Sequence, residues 1–287
     1  MHGVHTLSKM QSIKDTDFQK IADIVHRYAG ITLGPNKKNL VVSRLSGRLR
    51  QLEMPTFSEY VRYLRARNVP PEEIRHMINA ITTNTTHFFR EQHHFEVLEN
   101  YLRKIVALKM PANQKRLRIW CAASSTGQEP YSIAMTVYRV FHGQTVWDLK
   151  IMASDIDTNV LTFASRGEYS ETEMKNVSAL DKARFFSWRE ATSVYTVKPT
   201  IRKLIVFRKI NLIYDALDFN EPIDVVFCRN VMIYFSSENR EALLSKLHRC
   251  LGDRGILFLG HSESIPLVNR QFEYVDTTVY RKRSPND

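Results

Sequence analysis

Beyond residue 117, short apolar runs alternate with amphipathic stretches, and that alternation leaves the chain few ways to bury its hydrophobic surface. Strands are expected at 117–122, 149–154, 204–209, 223–228 and 255–260, with helical spacing at 129–141, 158–165 and 237–251 between most of them. Strand–helix–strand order of this kind predicts an α/β domain over 118–287 with a mostly parallel sheet. Two late segments, 273–276 and 277–281, are expected to add an antiparallel edge. One stretch, about 167–202, is too long for a simple connection. It carries a helix-like piece at 178–186 and the apolar run Val194–Val197, and reads as an inserted β-subdomain.

The N-terminal part, 12–82, reads as an all-α domain. Phe18, Ile21, Ala22, Val25 and Tyr28 recur at helical spacing, and Gly30 marks a helix end. A turn at 34–36 leads into a helix over 36–52. On it Val41, Leu45, Leu49 and Leu52 form one stripe, with Lys37, Arg44 and Arg48 on a neighbouring one. Further helices are expected at 56–67 and at 71–81, the latter opened by Pro70 and Pro71. Residues 83–117 are read as a linker and a helix.

The formal net charge is +11. Such a surplus serves solubility or an acidic partner. No apolar run approaches the ~20 residues of a membrane span, and residues 1–11 lack a secretory signal pattern. Cys121, Cys228 and Cys250 match no zinc or disulfide spacing. These features together predict a cytoplasmic protein.

Three places carry polar chemistry at expected strand ends. After the first strand comes a run of tiny residues, Ala-Ala-Ser-Ser-Thr-Gly-Gln-Glu-Pro over 122–130, which lets backbone approach a ligand closely. It lacks the Gly-x-Gly-x-x-Gly pattern and the P-loop lysine. After the second strand, Asp155 is placed to accept ribose hydroxyls and Asp157 to cap the next helix. An uncharged loop beside that acid favours S-adenosylmethionine over NAD. After the 223–228 strand come Arg229 and Asn230, which either satisfy strand-end backbone groups or border a ligand, with Tyr234 following. His87, His93 and His94 have the wrong spacing for a metal site, so none is expected. His261 beside Ser262 and Glu263 is read as structural.

Five segments, taken in order, resemble the CheR-type chemoreceptor methyltransferases. They are Thr-Thr-Asn-Thr-Thr-His-Phe-Phe-Arg-Glu over 82–91, the 122–132 loop, Ala-Ser-Asp-Ile-Asp over 153–157, Phe-Cys-Arg-Asn-Val-Met-Ile-Tyr-Phe over 227–235, and Gly-His-Ser-Glu-Ser over 260–264. The stretches 28–31 and 44–50 look like the family's helical domain. The resemblance implies a Rossmann-like class I methyltransferase domain. It also implies transfer of a methyl group from S-adenosyl-L-methionine to receptor glutamates, giving S-adenosyl-L-homocysteine. Cofactor contacts are implied at Asn84, Thr86, Arg90, Glu129, Asp155, Asn211, Leu212, Arg229 and Asn230. Arg90 and Tyr234 are expected to orient the reacting groups, and Lys37, Arg44 and Arg48 to dock on a receptor's helical bundle. The 187–193 segment is short and without glycine, so a grip on a receptor's C-terminal peptide is not expected. A monomer is expected, reaching the membrane only through receptors and binding no nucleic acid. The competing readings are a class I methyltransferase acting on RNA or a small molecule, and a non-catalytic regulator that binds S-adenosylmethionine.

Overall fold

The computed structural model describes residues 12–109, 115–144, 146–266 and 268–283. The signal-peptide reading of residues 1–11 lies outside them. The chain divides into two compact units. The first runs to Thr83 and includes Tyr234–Ser236; the second holds Asn84–Ile233 and Ser237 onwards.

The first unit is helical. Helix α1, Asp15–Ala29, has Asp15 and Asp17 in its first turn, where acidic groups suit the helix dipole. It ends at Gly30, whose φ of 72° lets its N–H return to the His26 carbonyl. Helix α2, Lys38–Gln51, buries Val41, Val42, Leu45 and Leu49. Helix α3, Phe57–Leu64, starts after Thr56, whose side chain accepts the Glu59 N–H at 3.2 Å. It is shorter at both ends than expected: Thr56 serves as cap, and Arg65 closes the last turn. Helix α4 is Pro71–Ile81, with proline in its first turn. Lys37 stands in a short 3-10 turn, Pro35–Lys37, and not on α2 as the wheel argument assumed.

Arg48 also differs from its sequence reading. It reaches back to Glu73, which is 2% exposed. Nε of Arg48 lies 3.1 and 3.2 Å from the two Glu73 oxygens, and Nη2 closes a tighter contact with Oε2. Tyr60 donates its hydroxyl to Glu73 at 2.8 Å. Arg48 therefore answers a buried charge inside the helical unit, which removes it from the free docking charges. The segment Tyr234–Ser236 packs with this unit too. Ile31 bridges Phe235, and the Thr32 N–H donates to the Tyr234 carbonyl at 2.8 Å.

The second unit opens with helix α5, His93–Lys109. Strand β1, Arg116–Ala122, helix α6, Gln128–Phe141, strand β2, Asp148–Asp155, and helix α7, Thr158–Arg166, follow in turn. The insertion comes next. It comprises β3, Glu168–Ser170, helix α8, Ala179–Phe185, β4, Phe186–Arg189, β5, Val194–Val197, and the short helix α9, Pro199–Arg202. The main chain of elements resumes with β6, Ile205–Lys209, β7, Ile223–Cys228, α10, Ser237–Cys250, β8, Leu251–Leu259, β9, Phe272–Asp276, and β10, Val279–Lys282. Seven strands form one sheet in the order β6-β2-β1-β7-β8-β10-β9, and β3-β5-β4 form a separate antiparallel sheet. The first five pair in parallel, so their carboxyl ends share one edge.

The late segments add the antiparallel edge that the sequence suggested, with the later of the two on the inside. β10 pairs antiparallel with both β8 and β9, which leaves β9 outermost. β8 also begins four residues earlier than expected, because Leu251 pairs with Ile223 at the foot of β7. Central strands are buried on both faces: Ile119, Trp120, Cys121, Val225, Val226, Phe227, Leu257 and Phe258 are at most 1% exposed. That double burial explains why the sequence shows continuous apolar runs there and not alternation.

Burial would raise the pKa of Glu73, but Arg48 and Tyr60 outweigh it and hold the carboxyl below its ordinary value of 4.5. Its contribution to stability is therefore present above that value and is lost as pH falls below it. Replacing Arg48 with alanine leaves a buried carboxylate short of its charge partner. The expected cost is about 3 kcal/mol at neutral pH, read from urea melts of the intact chain, and the deficit should narrow as the pH drops below 4.5.

Candidate active site

The turn after β1 is backbone under strain. Ala123, Ser125 and Gly127 take positive φ of 58°, 49° and 97°. Left-handed residues at alternate positions reverse the chain sharply and aim N–H groups inward. The Ser124 N–H donates to the Ser154 carbonyl at 2.8 Å, and the Ser125 N–H to Asp155 Oδ2 at 2.9 Å. Position 127 has no room for a side chain, since a Cβ there would lie 2.6 Å from the Tyr169 hydroxyl.

Asp155 ends β2 and is 7% exposed. Its second oxygen accepts the Asp157 N–H at 3.0 Å. Burial raises the Asp155 pKa, with the two N–H donors opposing it. Asp157 caps α7, accepting the Asn159 N–H at 2.8 Å, and its other oxygen accepts the Asn84 amide at 2.9 Å. Ser125 Oγ donates to the Asn84 carbonyl at 2.9 Å. Asn84 is thus bound to the loops after both β1 and β2.

β7 ends in the most concentrated charge of the unit. The Arg229 side chain is 0% exposed. Nη1 lies 2.9 Å from Glu129 on the first turn of α6, and Nη2 lies 3.0 Å from Glu91. Nη2 also donates to the Arg90 carbonyl at 2.5 Å. The rings of Phe95 and Phe227 flank the guanidinium, each 5.9 Å away. Burial raises the Glu129 pKa despite Arg229. For Glu91, burial pushes upward, but Arg229, the His261 N–H and the Asn230 amide hold the pKa below its ordinary value. Glu91 accepts from both the Asn230 side chain and the His261 N–H at 3.3 Å. His94 lies 3.4 Å from Glu91 and meets Thr278 Oγ1 at 2.9 Å. Burial first, then the charges of Arg229 and His93, lower its pKa to about 3, so it is neutral.

Glu263 organises the loop after β7. It is 5% exposed, and its oxygens accept the N–H groups of Asn230, Gly260 and Met232, each at 2.7 Å. Asn230 is held at a φ of 57°. A Cβ on Gly260 would stand 2.3 Å from the Asn230 amide nitrogen, so the residue that follows β8 must be glycine.

The structure therefore brings Asn84, Glu129, Asp155, Arg229, Asn230 and the Arg90 carbonyl into hydrogen-bond networks at the carboxyl ends of β1, β2 and β7, while the Arg90 side chain donates to the Thr85 carbonyl at 3.0 Å. Thr86 lies half-buried in the segment joining Asn84 to Arg90. Asn211 and buried Leu212 follow β6, where the Ile210 N–H donates to the Asp155 carbonyl at 3.2 Å. Asn211 shapes this loop itself, accepting the N–H groups of Ile213 and Tyr214 at 3.0 and 3.2 Å. Tyr234 stands in the 3-10 turn Met232–Tyr234 and clusters with the helical unit. Sequence reasoning gave Glu91 no role, weighed His94 only as a metal ligand and set it aside, and named Glu263 only as a neighbour of His261. Glu91 had a signal, since it directly follows Arg90 in the first matched segment. Among the described residues, no group of three or more His, Cys, Asp or Glu is placed to hold a metal ion.

A polar ligand has something to gain here. Arg229 Nε and the Ser124 hydroxyl are buried without hydrogen-bond partners. Orphaned donors beside a strained turn are what a group bound at this edge would satisfy.

Two family descriptions match the chain. "CheR methyltransferase, all-alpha domain" matches residues 16–82, and "CheR methyltransferase, SAM binding domain" matches 84–281. The chain is 40% identical to chemotaxis protein methyltransferase 2 of Pseudomonas aeruginosa over 266 residues, 92% of each chain. It is 36% identical to the chemotaxis protein methyltransferase of Salmonella typhimurium over 276 residues, covering 96% of this chain and 92% of that one. With the Escherichia coli protein of the same name the figures are 35% identity, 96% and 93%.

Removing the guanidinium should expose its role. Arg229→Met leaves Glu91 and Glu129 buried without a cation, so the folded pKa of Glu91 rises above the unfolded value and that of Glu129, already raised, rises further. A raised carboxyl pKa destabilises at high pH and is relieved as pH falls. The variant should lose about 3–5 kcal/mol at pH 8, with a smaller deficit at pH 5, measured by chemical denaturation. A deficit independent of pH would contradict this account of the cluster.

Proposed function

Since this chain belongs to the CheR methyltransferase family, we propose that it methylates glutamate side chains of chemoreceptors, using S-adenosyl-L-methionine and serving sensory adaptation. The observation that carries this reading is the buried Arg229, shared by Glu91 and Glu129 beside the strained 123–127 turn. Two carboxylates face one guanidinium, which suits a ligand that carries an ammonium and a sulfonium. Burial holds Glu129 above the ordinary range, and an approaching cation would favour its ionised form.

S-adenosylmethionine, when bound, supplies an electrophilic sulfonium methyl. Asp155 would hold the ribose, since each of its oxygens retains a lone pair beyond the N–H it accepts. Asn84, Thr86, Asn211, Leu212, Arg229 and Asn230 would line the remainder, and Glu129 would meet the ammonium. Arg90 would orient the acceptor carboxylate with its planar fork. Tyr234 follows Asn230 by four residues, and its part in orienting that carboxylate rests on the family resemblance. No residue has to act as general base, because a glutamate with a free pKa of about 4.3 is ionised at neutral pH. The protein's contribution is alignment and exclusion of water.

Docking is assigned to Lys37 and Arg44, both exposed, with the overall charge of +11 supporting attraction to an acidic helical bundle. Arg48 is left to Glu73. The linker between β4 and β5 is the short 3-10 turn Glu190–Thr192 and Ser193, which supports action without a grip on a receptor's C-terminal peptide. No helix among the described residues is long and apolar enough to cross a membrane. The proposed setting is the cytoplasm, with the protein acting as a monomer.

Incubation with radiolabelled S-adenosylmethionine and receptor-rich membranes should give base-labile label on receptor protein, and calorimetry should detect adenosylhomocysteine binding. Arg44→Glu should raise the KM for receptor by about fivefold at low salt and leave adenosylhomocysteine affinity unchanged. Loss of both together would remove the docking role, and no labelling of receptor with intact binding would remove the substrate assignment.

A further inference from the structure

The inserted subdomain reaches into the cofactor loop. Tyr169, the middle residue of β3, is 1% exposed. Its hydroxyl donates to the Thr126 carbonyl at 2.8 Å. The N–H on the other side of that peptide, from Gly127, donates to the Ser124 carbonyl at 3.1 Å. The Thr126–Gly127 peptide plane is therefore fixed from both ends, once by the turn itself and once by the insertion. The Tyr169 ring also meets Phe88 edge-on, with centroids 4.9 Å apart, and Phe88 is 0% exposed within the segment between Asn84 and Arg90. One side chain thus touches both the turn after β1 and the segment that begins at Asn84.

We propose that Tyr169 is a positioning residue for cofactor binding, holding the strained 123–127 turn in its ligand-ready shape from the inserted subdomain. This rests on the reading of that turn as the S-adenosylmethionine site. The turn needs outside support, because Ala123 and Ser125 sit at positive φ without being glycine. Ser124 and Ser125 are tied to β2, and Ser125 Oγ to Asn84. The Thr126 carbonyl is tied to Tyr169. Burial keeps the Tyr169 hydroxyl protonated, as a donor must be. The insertion is then part of the cofactor site's frame, in addition to any part it plays on its own outer surface.

The same aromatic cluster supplies a matched comparison. Tyr131 is also 1% exposed, its ring lies 6.0 Å from that of Tyr169, and its hydroxyl donates to the Ala164 carbonyl at 2.9 Å. Tyr131→Phe and Tyr169→Phe each delete one buried hydroxyl-to-carbonyl bond, the former together with a contact to Arg202, and leave the rings in place. The full-length variants are compared by thermal melts, by calorimetric titration with adenosylhomocysteine and by methyl-transfer kinetics. Both should melt earlier by similar amounts. Only Tyr169→Phe should weaken adenosylhomocysteine binding, by about fivefold, the scale of one hydrogen bond. It should raise the KM for S-adenosylmethionine while leaving kcat unchanged. Equal loss of affinity in the two variants, or none in either, overturns the proposal. Wild-type protein that fails to bind adenosylhomocysteine overturns the cofactor reading and this inference with it. Normal wild-type binding with unmoved Tyr169→Phe overturns the inference alone.

Discussion

A fully buried guanidinium costs several kcal/mol to desolvate, and the α/β unit offsets that cost by bringing two carboxylates to Arg229 from separate segments. Glu91 comes from the stretch before α5, Glu129 from the first turn of α6, and Arg229 itself from the end of β7. Because the charge is buried, these segments cannot separate without leaving an unpaired ion in a low-dielectric interior. Glu91 extends the constraint. Its contacts with Asn230, His261 and His94 carry it to the ends of β8 and β10. The charge network therefore fixes the relative position of the strand ends more directly than apolar packing, which tolerates small shifts at modest cost.

The same network sets the electrostatics of the site. His94 is neutral and adds no positive charge, because burial and Arg229 both oppose its protonation. Arg229 is then the central cation, divided between two acids. A ligand bearing positive charge would meet two carboxylates that share one guanidinium. Asp155 is isolated from this group by its own backbone donors, which leaves it an acceptor suited to hydroxyls.

Much of the fold was legible because the sheet is parallel and buried. Such strands appear as short apolar runs, and 223–228 was placed to the residue. Helix α4 was placed equally well, since proline at its start and a threonine cap at its end punctuate it clearly. What the sequence hid was long-range. Nothing near position 48 shows that Glu73 is buried beneath it, so Arg48 looked like one more charge on a solvated stripe. The order of the last strands was hidden for a related reason: β10 enters between β8 and β9, and pairing order is not written in local pattern. Within the site, residues at strand ends were easy to single out because polar groups after apolar runs are conspicuous. Glu263 and Tyr169 were not, because their role is to bind backbone atoms of distant loops, and backbone atoms carry no sequence.

Backbone strain is concentrated in these loops. Among the described residues nine non-glycine positions take positive φ, and Phe89, Glu91, Ala123, Ser125 and Asn230 are among them. Each costs on the order of 1–3 kcal/mol, and all five lie in the segments that meet at Asn84, Asp155 and Arg229. Every one is held by a bond to itself or to an adjacent residue. Ser132 Oγ takes the Phe89 N–H, Asp155 takes the Ser125 N–H, and Glu263 takes the Asn230 N–H. Ser154 holds the N–H of Ser124, next to Ala123, and Arg229 holds the Glu91 carboxylate. A chain free to relax these residues would do so, since strain of this size is a large part of a domain's net stability. That it is retained at these five positions, each with a buried partner, means the protein alone holds these loops in their strained shape. Ordering them is part of folding, so a ligand bound there would not have to order them.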